Sequence, residues 1–463
     1  MQIKFLKNLD IVLVLVVIVT LIISIFYLQT VYKWWYEDDP SLYASVLTIN
    51  NPVDIFLNPD IIRTFGSGAS VTPMQILSYW IDVHLFGVSP LAAYLHTLAS
   101  MILIVALLYL IFLRITADRF GSACISLLWL CLPSTIAVYY FLSTRHYLEG
   151  FGWSLLSCWI MLCLCSKNEP EASHIKFVIM NVCVLAAMFS KEIYVTTLPT
   201  LIFCYSVAKR RYWISISQII LILVYVVFRF WVIGGGNKYP LPLLDGMNYL
   251  QYLTKLPYTL TANTGGYVFF CGMVIGSLWL MFTRPSDVKN VLIIHILLII
   301  AALISLYPTA EAVLNTFQVP GTWYRAIFII NSLIILTMGY LLVNYTSRRT
   351  QVACLVIMLV FLIPGVHKTR SLWNDRFSQS EQEAKFYLSN PDKLMLSEEA
   401  AYWYLPGIDK LYRISHPHFI SNCDWRNDHA KQMLAQFPTI WRLEGGRAIS
   451  DQTLYWFVKA HNM

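Results

Sequence analysis

Residues Trp34-Trp35-Tyr36-Glu37-Asp38-Asp39-Pro40 place three consecutive carboxylates beside an aromatic cluster, directly after the first long apolar run. Adjacent carboxylates repel one another and need a cation, a proton or a hydrogen-bonded substrate nearby. At a water–lipid boundary one of them could take the proton of a hydroxyl, which is the requirement of general-base glycosyl transfer. The plainer reading of the same residues is a solvated acidic loop next to interfacial aromatic anchors. A divalent cation, Mg or Mn, at Asp38 or Glu37 is compatible with these acids, although the sequence supplies no defined cage for it.

A second set is mostly basic: Arg63, His96, Arg145-His146, Lys191 with its acidic neighbour Glu192, Arg229 and Arg325. Any one of these cations could simply snorkel to lipid headgroups. Together with the acids they suit an anionic lipid phosphate, because Arg matches a phosphate bidentately and Lys acts as a point charge. His295 lies in an apolar run and reads first as a hydrogen-bonded core residue, although ionisable groups at that depth are functional suspects. His416, His418, Cys423, Asp424 and His429 could supply metal ligands, but their spacing matches no standard site. No P-loop, dinucleotide fingerprint or HExxH sequence is present, which argues against an ATP-driven pump, a nicotinamide enzyme or a zinc protease.

The elements that must carry these groups are membrane helices. Of 463 residues 57% are apolar and 13% charged, against roughly 25% charged in soluble domains, and the mean hydropathy is +0.60. The net charge of +7 reflects cationic loops rather than a nucleic-acid surface. Of the ten cysteines only Cys423 lies outside an apolar stretch, so there is no disulfide framework and no zinc pattern. Apolar runs predict eleven spans, at 10–30, 91–113, 122–142, 147–165, 177–189, 193–208, 213–233, 267–283, 291–308, 327–343 and 351–367. The run 10–30 has no small-residue cleavage site after it and reads as a retained anchor.

The pair 177–189 and 193–208 could instead be one helix interrupted by Lys191-Glu192, and the parity of that choice decides the orientation. With two spans and a cytoplasmic N-terminus, the inner segments hold Lys4, Lys7, Arg114, Arg119, Lys167, Lys176, Lys209, Arg210, Arg211, Arg284, Lys289, Arg348 and Arg349. The longer outer loops hold only Lys33, Arg63, Arg145, Lys191, Lys238, Lys255 and Arg325. The positive-inside rule favours this arrangement.

It predicts a domain 1–367 with outer loops 31–90, 234–266 and 309–326, and an external region 368–463. Within the first loop, Met74, Leu77, Trp80, Ile81 and Leu85 follow helical spacing, with Gln75, Ser78, Asp82 and His84 between them. That pattern predicts an amphipathic helix along the membrane surface, or an ordinary packed loop helix. Gly234-Gly235-Gly236 and Tyr239-Pro240-Leu241-Pro242 suggest a mobile connection that could cover a site.

In their order these features resemble the type C (GT-C) glycosyltransferase superfamily, polytopic enzymes that use polyprenyl-phosphate-linked sugars. The closest similarity is to the branch of protein O-mannosyltransferases, tetratricopeptide-bearing mannosyltransferases and bacterial lipid-sugar-dependent enzymes. Asp38-Asp39 matches that family's acidic pair after span one. Thr72-Pro73 through Leu85-Phe86-Gly87-Val88-Ser89-Pro90, followed by Tyr94-Leu95-His96, is similar to its approach to span two. Ser143-Thr144-Arg145-His146 resembles a short outer turn, Ser190-Lys191-Glu192-Ile193 with Pro199 resembles its Lys-Glu turn, and Tyr324-Arg325 is a poorer match to a late Arg motif. The resemblance covers residues 10 to 210 with specificity and the remainder by topology.

It implies an all-α polytopic membrane protein with about eleven transmembrane helices, a large first outer loop containing juxtamembrane helices, and a small external C-terminal region. It further implies Asp38 as the catalytic base with Asp39 assisting, and Glu37 leaves the pair ambiguous. Lys191, Arg145, Arg325 and Arg63 would hold the donor phosphate, supported by Glu192, His146 and His96. The donor would be a polyprenyl-phosphate sugar, on undecaprenyl in a bacterium. The acceptor would be a glycan, glycolipid or protein, with a hexosyl group transferred with inversion.

Two other classes remain open on the sequence. A transporter or flippase of a lipid-linked or amphiphilic substrate would use the same outer charges as gate or headgroup contacts, but has less need of a large first loop and external tail. A polysaccharide polymerase or ligase would favour a large loop between late spans. Asn344-Tyr345-Thr346 falls on the cytoplasmic side, and the lack of external glycosylation sequons points to a bacterial inner membrane with a periplasmic active site. Surface polysaccharide or lipopolysaccharide (O-antigen) modification is the first setting, and protein glycosylation the second.

Overall fold

In a computed structural model the described residues are 22–65, 70–165, 174–234, 246–283, 324–397, 404–414, 419–421, 439–444 and 447–451, with isolated positions between 289 and 303 and between 433 and 437. Most of the runs 10–30 and 291–308, His295, the Pro-rich stretch 239–242, most of the loop 309–326 and the residues His416, His418, Cys423, Asp424 and His429 lie outside this set. The chain divides into two compact units. The first comprises 1–29, 56–75 and 96–372, and the second 30–55, 76–95 and 373–463.

The first unit is helical among its described residues. Helices Pro90–Thr116, Leu142–Leu164, Tyr212–Ile233, Ile327–Tyr345 and Arg348–Ser389 are long and apolar enough to cross a membrane. Helices Arg119–Leu130 and Pro133–Tyr140, bent by 58°, make a sixth if taken as one broken span. The uninterrupted span expected over 122–142 is therefore corrected to a bent pair. Pro133 cannot donate to the preceding turn and pushes Leu132 to an extended conformation at φ −74°, ψ 130°. Asp118 starts the first half by accepting from Phe120 N and Gly121 N, a cap worth about 1 kcal/mol.

Helices His174–Ser190, Ile193–Ala208 and Gly265–Gly276 are apolar but shorter than a full span. Among the described residues five or six spans by length and apolarity thus stand where hydropathy predicts eleven over the whole chain. The difference lies in these short helices and in the runs outside the described residues. Residues 174–208 do form two helices, broken at Lys191-Glu192, as the charge argument favours.

The second unit joins helix Asp39–Val46, helix Tyr404–Tyr412 and a four-stranded sheet. The strands are β1 (Leu394–Ser397), β2 (Phe419–Ser421), β3 (Ile440–Glu444) and β4 (Arg447–Asp451), in the order β2-β1-β3-β4. β1 runs parallel to β2 and β3, while β3 and β4 are antiparallel. Trp35, Tyr43, Tyr79, Trp373 and Tyr404 are completely buried, each burial stabilising by roughly 1.5–3 kcal/mol. Gly407 lies against the start of helix Asp39–Val46, where an added Cβ would sit 2.5 Å from Ser41 N. Helix Arg348–Ser389 runs without interruption through residue 367.

Helix Pro73–Phe86 forms as the spacing predicts, with Met74, Leu77, Trp80 and Ile81 half-buried and His84 exposed. Gln75, Ser78 and Asp82 are buried, whereas Leu85 is 68% and Phe86 60% exposed. The polar stripe can turn inward because it finds partners: Gln75 Nε2 donates to Ser143 O at 3.1 Å and Tyr43 OH donates to Asp82 Oδ2 at 2.9 Å.

Candidate active site

The first unit gathers most of the basic residues singled out in the sequence. The break between two short helices leaves Lys191 and Glu192 at a turn, where Lys191 Nζ donates to Ser70 Oγ at 3.0 Å and lies 3.5 Å from Glu192 Oε2. The ammonium also sits 5.5 Å from the centroid of the Tyr147 ring. Glu192 Oε1 accepts from Val71 N at 2.8 Å and pairs with Arg229 Nη1 at 3.2 Å.

Burial opposes both charges at this turn. For Lys191, Tyr147 and Glu192 outweigh it and hold the ammonium above the usual lysine pKa, with Arg325 acting against them. For Glu192, Lys191, backbone N–H groups including that of Val71, and Arg229 outweigh burial and hold the carboxyl below the usual range. Both groups are therefore charged at neutral pH.

Arg145 opens helix Arg145–Leu164 with its side chain fully buried, its Nε 2.9 Å from Glu149 Oε1 one turn later. The same Glu149 oxygen lies 3.6 Å from His96 Nε2. Next to Arg145 the His146 ring is 6% exposed, with Lys191, Arg325 and Arg145 as its charged neighbours. Arg325, at the second position of helix Tyr324–Tyr345, thus faces both Lys191 and His146 electrostatically. The Tyr194 hydroxyl donates to Tyr147 O, and a Cβ on Gly150 would overlap the Tyr194 ring. This close approach fixes the helix that carries Arg145 and His146 against the turn that carries Lys191.

The structure therefore brings Arg145, His146, Lys191 and Arg325 together, with Glu192 and His96 at the edge of the group. Arg63 is placed elsewhere: it donates to Val232 O and Trp231 O and pairs with Asp60 at 3.0 Å. Those carbonyls end helix Tyr212–Ile233, so Arg63 serves the negative end of that helix. Glu149 and the Ser70 hydroxyl are members that the sequence reading passed over. The spacing of Arg145 and Glu149, four residues on one helix, is the ordinary signal for such a pair.

The second unit holds the three acids, and it distinguishes them. Asp39 is fully buried, begins its helix, and accepts from Tyr36 N at 3.1 Å. Glu37, at a left-handed φ of +42°, accepts from Tyr36 OH at 2.7 Å. Burial raises the Tyr36 phenol, Glu37 adds to the effect and Arg376 opposes it, so Tyr36 is a permanent donor. Asp38 is partly exposed, and its carbonyl accepts from Leu42 N at 3.0 Å.

The C-terminal residues are part of this environment. Trp35 Nε1 donates to Tyr412 OH at 3.1 Å, and Tyr404 OH lies 3.0 Å from Ser380 O and 3.3 Å from Trp35 O. Tyr36 meets Trp373 edge-on at 5.4 Å. Among the described residues no three His, Cys, Asp or Glu side chains are grouped to hold a metal ion.

The class that these observations define is a helical membrane protein with a partly buried cation cluster in one unit and a carboxylate turn, built partly by C-terminal residues, in the other. Its fold is similar to that of ArnT from Cupriavidus metallidurans bound to undecaprenyl phosphate, with a TM-score of 0.54 and 12% identity over 94% of this chain and 97% of that one. The apo crystal structure of the same protein matches with a TM-score of 0.54 and 11% identity over 96% and 98% of the two chains. At such identity the similarity is one of fold. No protein-family profile and no curated protein sequence matches the chain.

Proposed function

We propose that this chain is an integral membrane glycosyltransferase that moves a sugar from a polyprenyl-phosphate-linked donor to an acceptor hydroxyl. The observation that carries the reading is the gathering of Arg145, Lys191 and Arg325 around His146, in a fold also found in a protein crystallised with undecaprenyl phosphate. Several cations gathered in a partly buried place suit a phosphate anion.

In this reading Arg145, Lys191 and Arg325 receive the donor phosphate, Glu149 orients Arg145, and Glu192 orients Lys191. Asp38 is the general base, as the family resemblance implies, and it is partly exposed whereas Asp39 is fully buried. The acceptor oxygen attacks the anomeric carbon while Asp38 takes its proton. The bond from that carbon to the phosphate oxygen breaks, and its electron pair stays on the phosphate. Attack opposite the leaving group inverts the anomeric centre, and the cation cluster stabilises the charge that develops. The donor bond supplies the driving force, so no nucleotide is required on the outer face.

We assign the enzyme to a bacterial inner membrane with a periplasmic site, acting on surface polysaccharide or lipopolysaccharide. A Mg or Mn ion, where one takes part, would bind at Asp38 or Glu37. The test is sugar transfer by the purified protein in proteoliposomes, from a panel of polyprenyl-phosphate sugars to envelope glycolipid, with and without EDTA. Product formed by the wild type and lost in a folded Asp38→Asn variant is the expected result. Labelled lipid crossing the bilayer without sugar transfer would instead establish a transporter.

A further inference from the structure

One face of helix Arg348–Ser389 closes on the acidic turn. Trp373, Arg376 and Phe377 are spaced i, i+3 and i+4, so their side chains leave the helix on one side. Trp373 and Phe377 are completely buried, and Tyr36 packs against both, edge-on to Trp373 at 5.4 Å and tilted against Phe377 at 5.0 Å. The half-buried Arg376 guanidinium lies 5.8 Å from the centroid of the Trp373 ring and faces the Tyr36 hydroxyl. An arginine can do both at once, because its planar cation rests on an aromatic ring while its edge still carries N–H donors.

The Tyr36 hydroxyl thus stands between a carboxylate and a cation. It donates to Glu37 Oε1 at 2.7 Å, and a phenol that gives its proton away keeps lone pairs that can accept from Arg376. Glu37 needs such a hold, because its φ of +42° is left-handed, a conformation that residues with a Cβ adopt only under constraint. The backbone closes the turn around it, with Asp39 N donating to Tyr36 O at 2.9 Å and Tyr36 N donating to Asp39 Oδ2 at 3.1 Å. Asp38 sits between Glu37 and Asp39, so any relaxation of Glu37 toward the common right-handed region swings Asp38 with it.

We infer that Arg376 is a positioning residue for sugar transfer: acting through the Tyr36 hydroxyl, it holds Glu37 in the left-handed turn and so fixes where the Asp38 carboxylate stands. It also sets one permanent positive charge beside three successive carboxylates, whose mutual repulsion favours a more open chain. This rests on the reading of Asp38 as the general base. A base must lie within hydrogen-bond reach of the proton it takes, and a displacement of about 1 Å costs on the order of 10²-fold in rate.

The experiment is the transfer assay on the full-length protein in proteoliposomes, with the polyprenyl-phosphate sugar that the wild type consumes fastest, joined to calorimetry with farnesyl phosphate in detergent. Arg376→Gln is expected to lower kcat about 10- to 100-fold while KM for the donor and the affinity for farnesyl phosphate stay within about threefold. Arg376→Lys, which keeps the charge, is expected to recover part of the loss. Tyr36→Phe, which removes only the hydroxyl, is expected to lower kcat to a similar degree. It gives the same reading if melting midpoints show that Arg376→Gln does not fold. In the Tyr36→Phe background a further Arg376→Gln is expected to change kcat by less than about twofold, because the two residues act as one unit. A folded Arg376→Gln enzyme of full speed overturns this inference and, with Asp38→Asn inactive, leaves the transferase reading standing. Losses that multiply in the double variant overturn the path through Tyr36. A raised donor KM with kcat unchanged makes Arg376 a binding residue and overturns its positioning role. Absence of transfer by the wild type overturns both readings.

Discussion

Arg145 and Glu149 face each other across one helical turn, Nε 2.9 Å from Oε1, with the arginine side chain wholly buried and the glutamate 12% exposed. Removing one member of a buried pair costs about 3–5 kcal/mol. Glu149→Ala is therefore expected to lower the melting midpoint sharply. Replacing both residues by Leu is expected to restore much of the stability while transfer stays absent. Thermal unfolding in detergent alongside the transfer assay checks both halves.

The three acids are expected to separate by assay. Asp38→Asn should lower transfer about 10²- to 10⁴-fold, the usual contribution of general-base catalysis, with an unchanged melting midpoint. Asp39→Ala removes the acceptor for Tyr36 N and should destabilise by roughly 1–3 kcal/mol. A full-speed Asp38→Asn enzyme would take the base assignment away from Asp38.

Lys191 and Arg63, grouped together on the sequence, should behave differently. Lys191→Met is expected to weaken binding of a lipid phosphate by about 10- to 100-fold, the range of a hydrogen bond to a charged group of about 1.5–3 kcal/mol. Arg63→Gln, at the end of helix Tyr212–Ile233, should leave that affinity within about threefold and cost roughly 0.3–1 kcal/mol of stability. Calorimetry with farnesyl phosphate on both variants decides this.

The Lys191–Glu192 turn fixes the sign of a pH effect. Glu192 is held below the usual carboxylate value of about 4.3, so its contribution to stability is present above that value and lost as pH falls through the lower folded value. Lys191 is held above the usual value of about 10.4, so its contribution is present below that value and lost as pH rises through the higher folded one. Melting midpoints of the wild type and Glu192→Gln should differ by a constant amount between about pH 6 and 9 and start to converge only as pH falls below about 4.3. A difference that grows in acid would contradict the ion pair.

A substitution far along the chain should reach the acidic turn. Gly407→Ala places a Cβ 2.5 Å from Ser41 N, an overpacking expected to cost about 1–3 kcal/mol. It displaces helix Asp39–Val46, so transfer should fall in a protein whose lipid-phosphate affinity is unchanged. Parallel measurements of transfer and of farnesyl phosphate binding read this directly.

Much of the helical framework was legible in the sequence, because an uninterrupted apolar run of about 20 residues has few other fates than a membrane-length helix. The break at Lys191-Glu192 was legible too, since it follows from two adjacent charges and the distribution of Lys and Arg. The bend at Pro133 was hidden, because hydropathy averages over a proline and records no backbone geometry.

The candidate site divides in the same way. Residue type alone marked Asp38, Arg145 and Lys191, since carboxylates and cations beside membrane spans are few. Proximity in sequence could not tell that Arg325 joins them while Arg63 is bound to the end of a helix. Nor could it tell that Gln75, Ser78 and Asp82 turn inward, because the buried side of a helix is chosen by the partners it meets. The three acids looked equivalent along the chain and are not: Asp39 is buried and accepts from Tyr36 N, Glu37 accepts from the Tyr36 hydroxyl, and Asp38 is half-buried. The order of residues determined which chemistry was available, and the tertiary structure decided which side chains take part in it, because charge, burial and hydrogen bonding act through space and not along the chain.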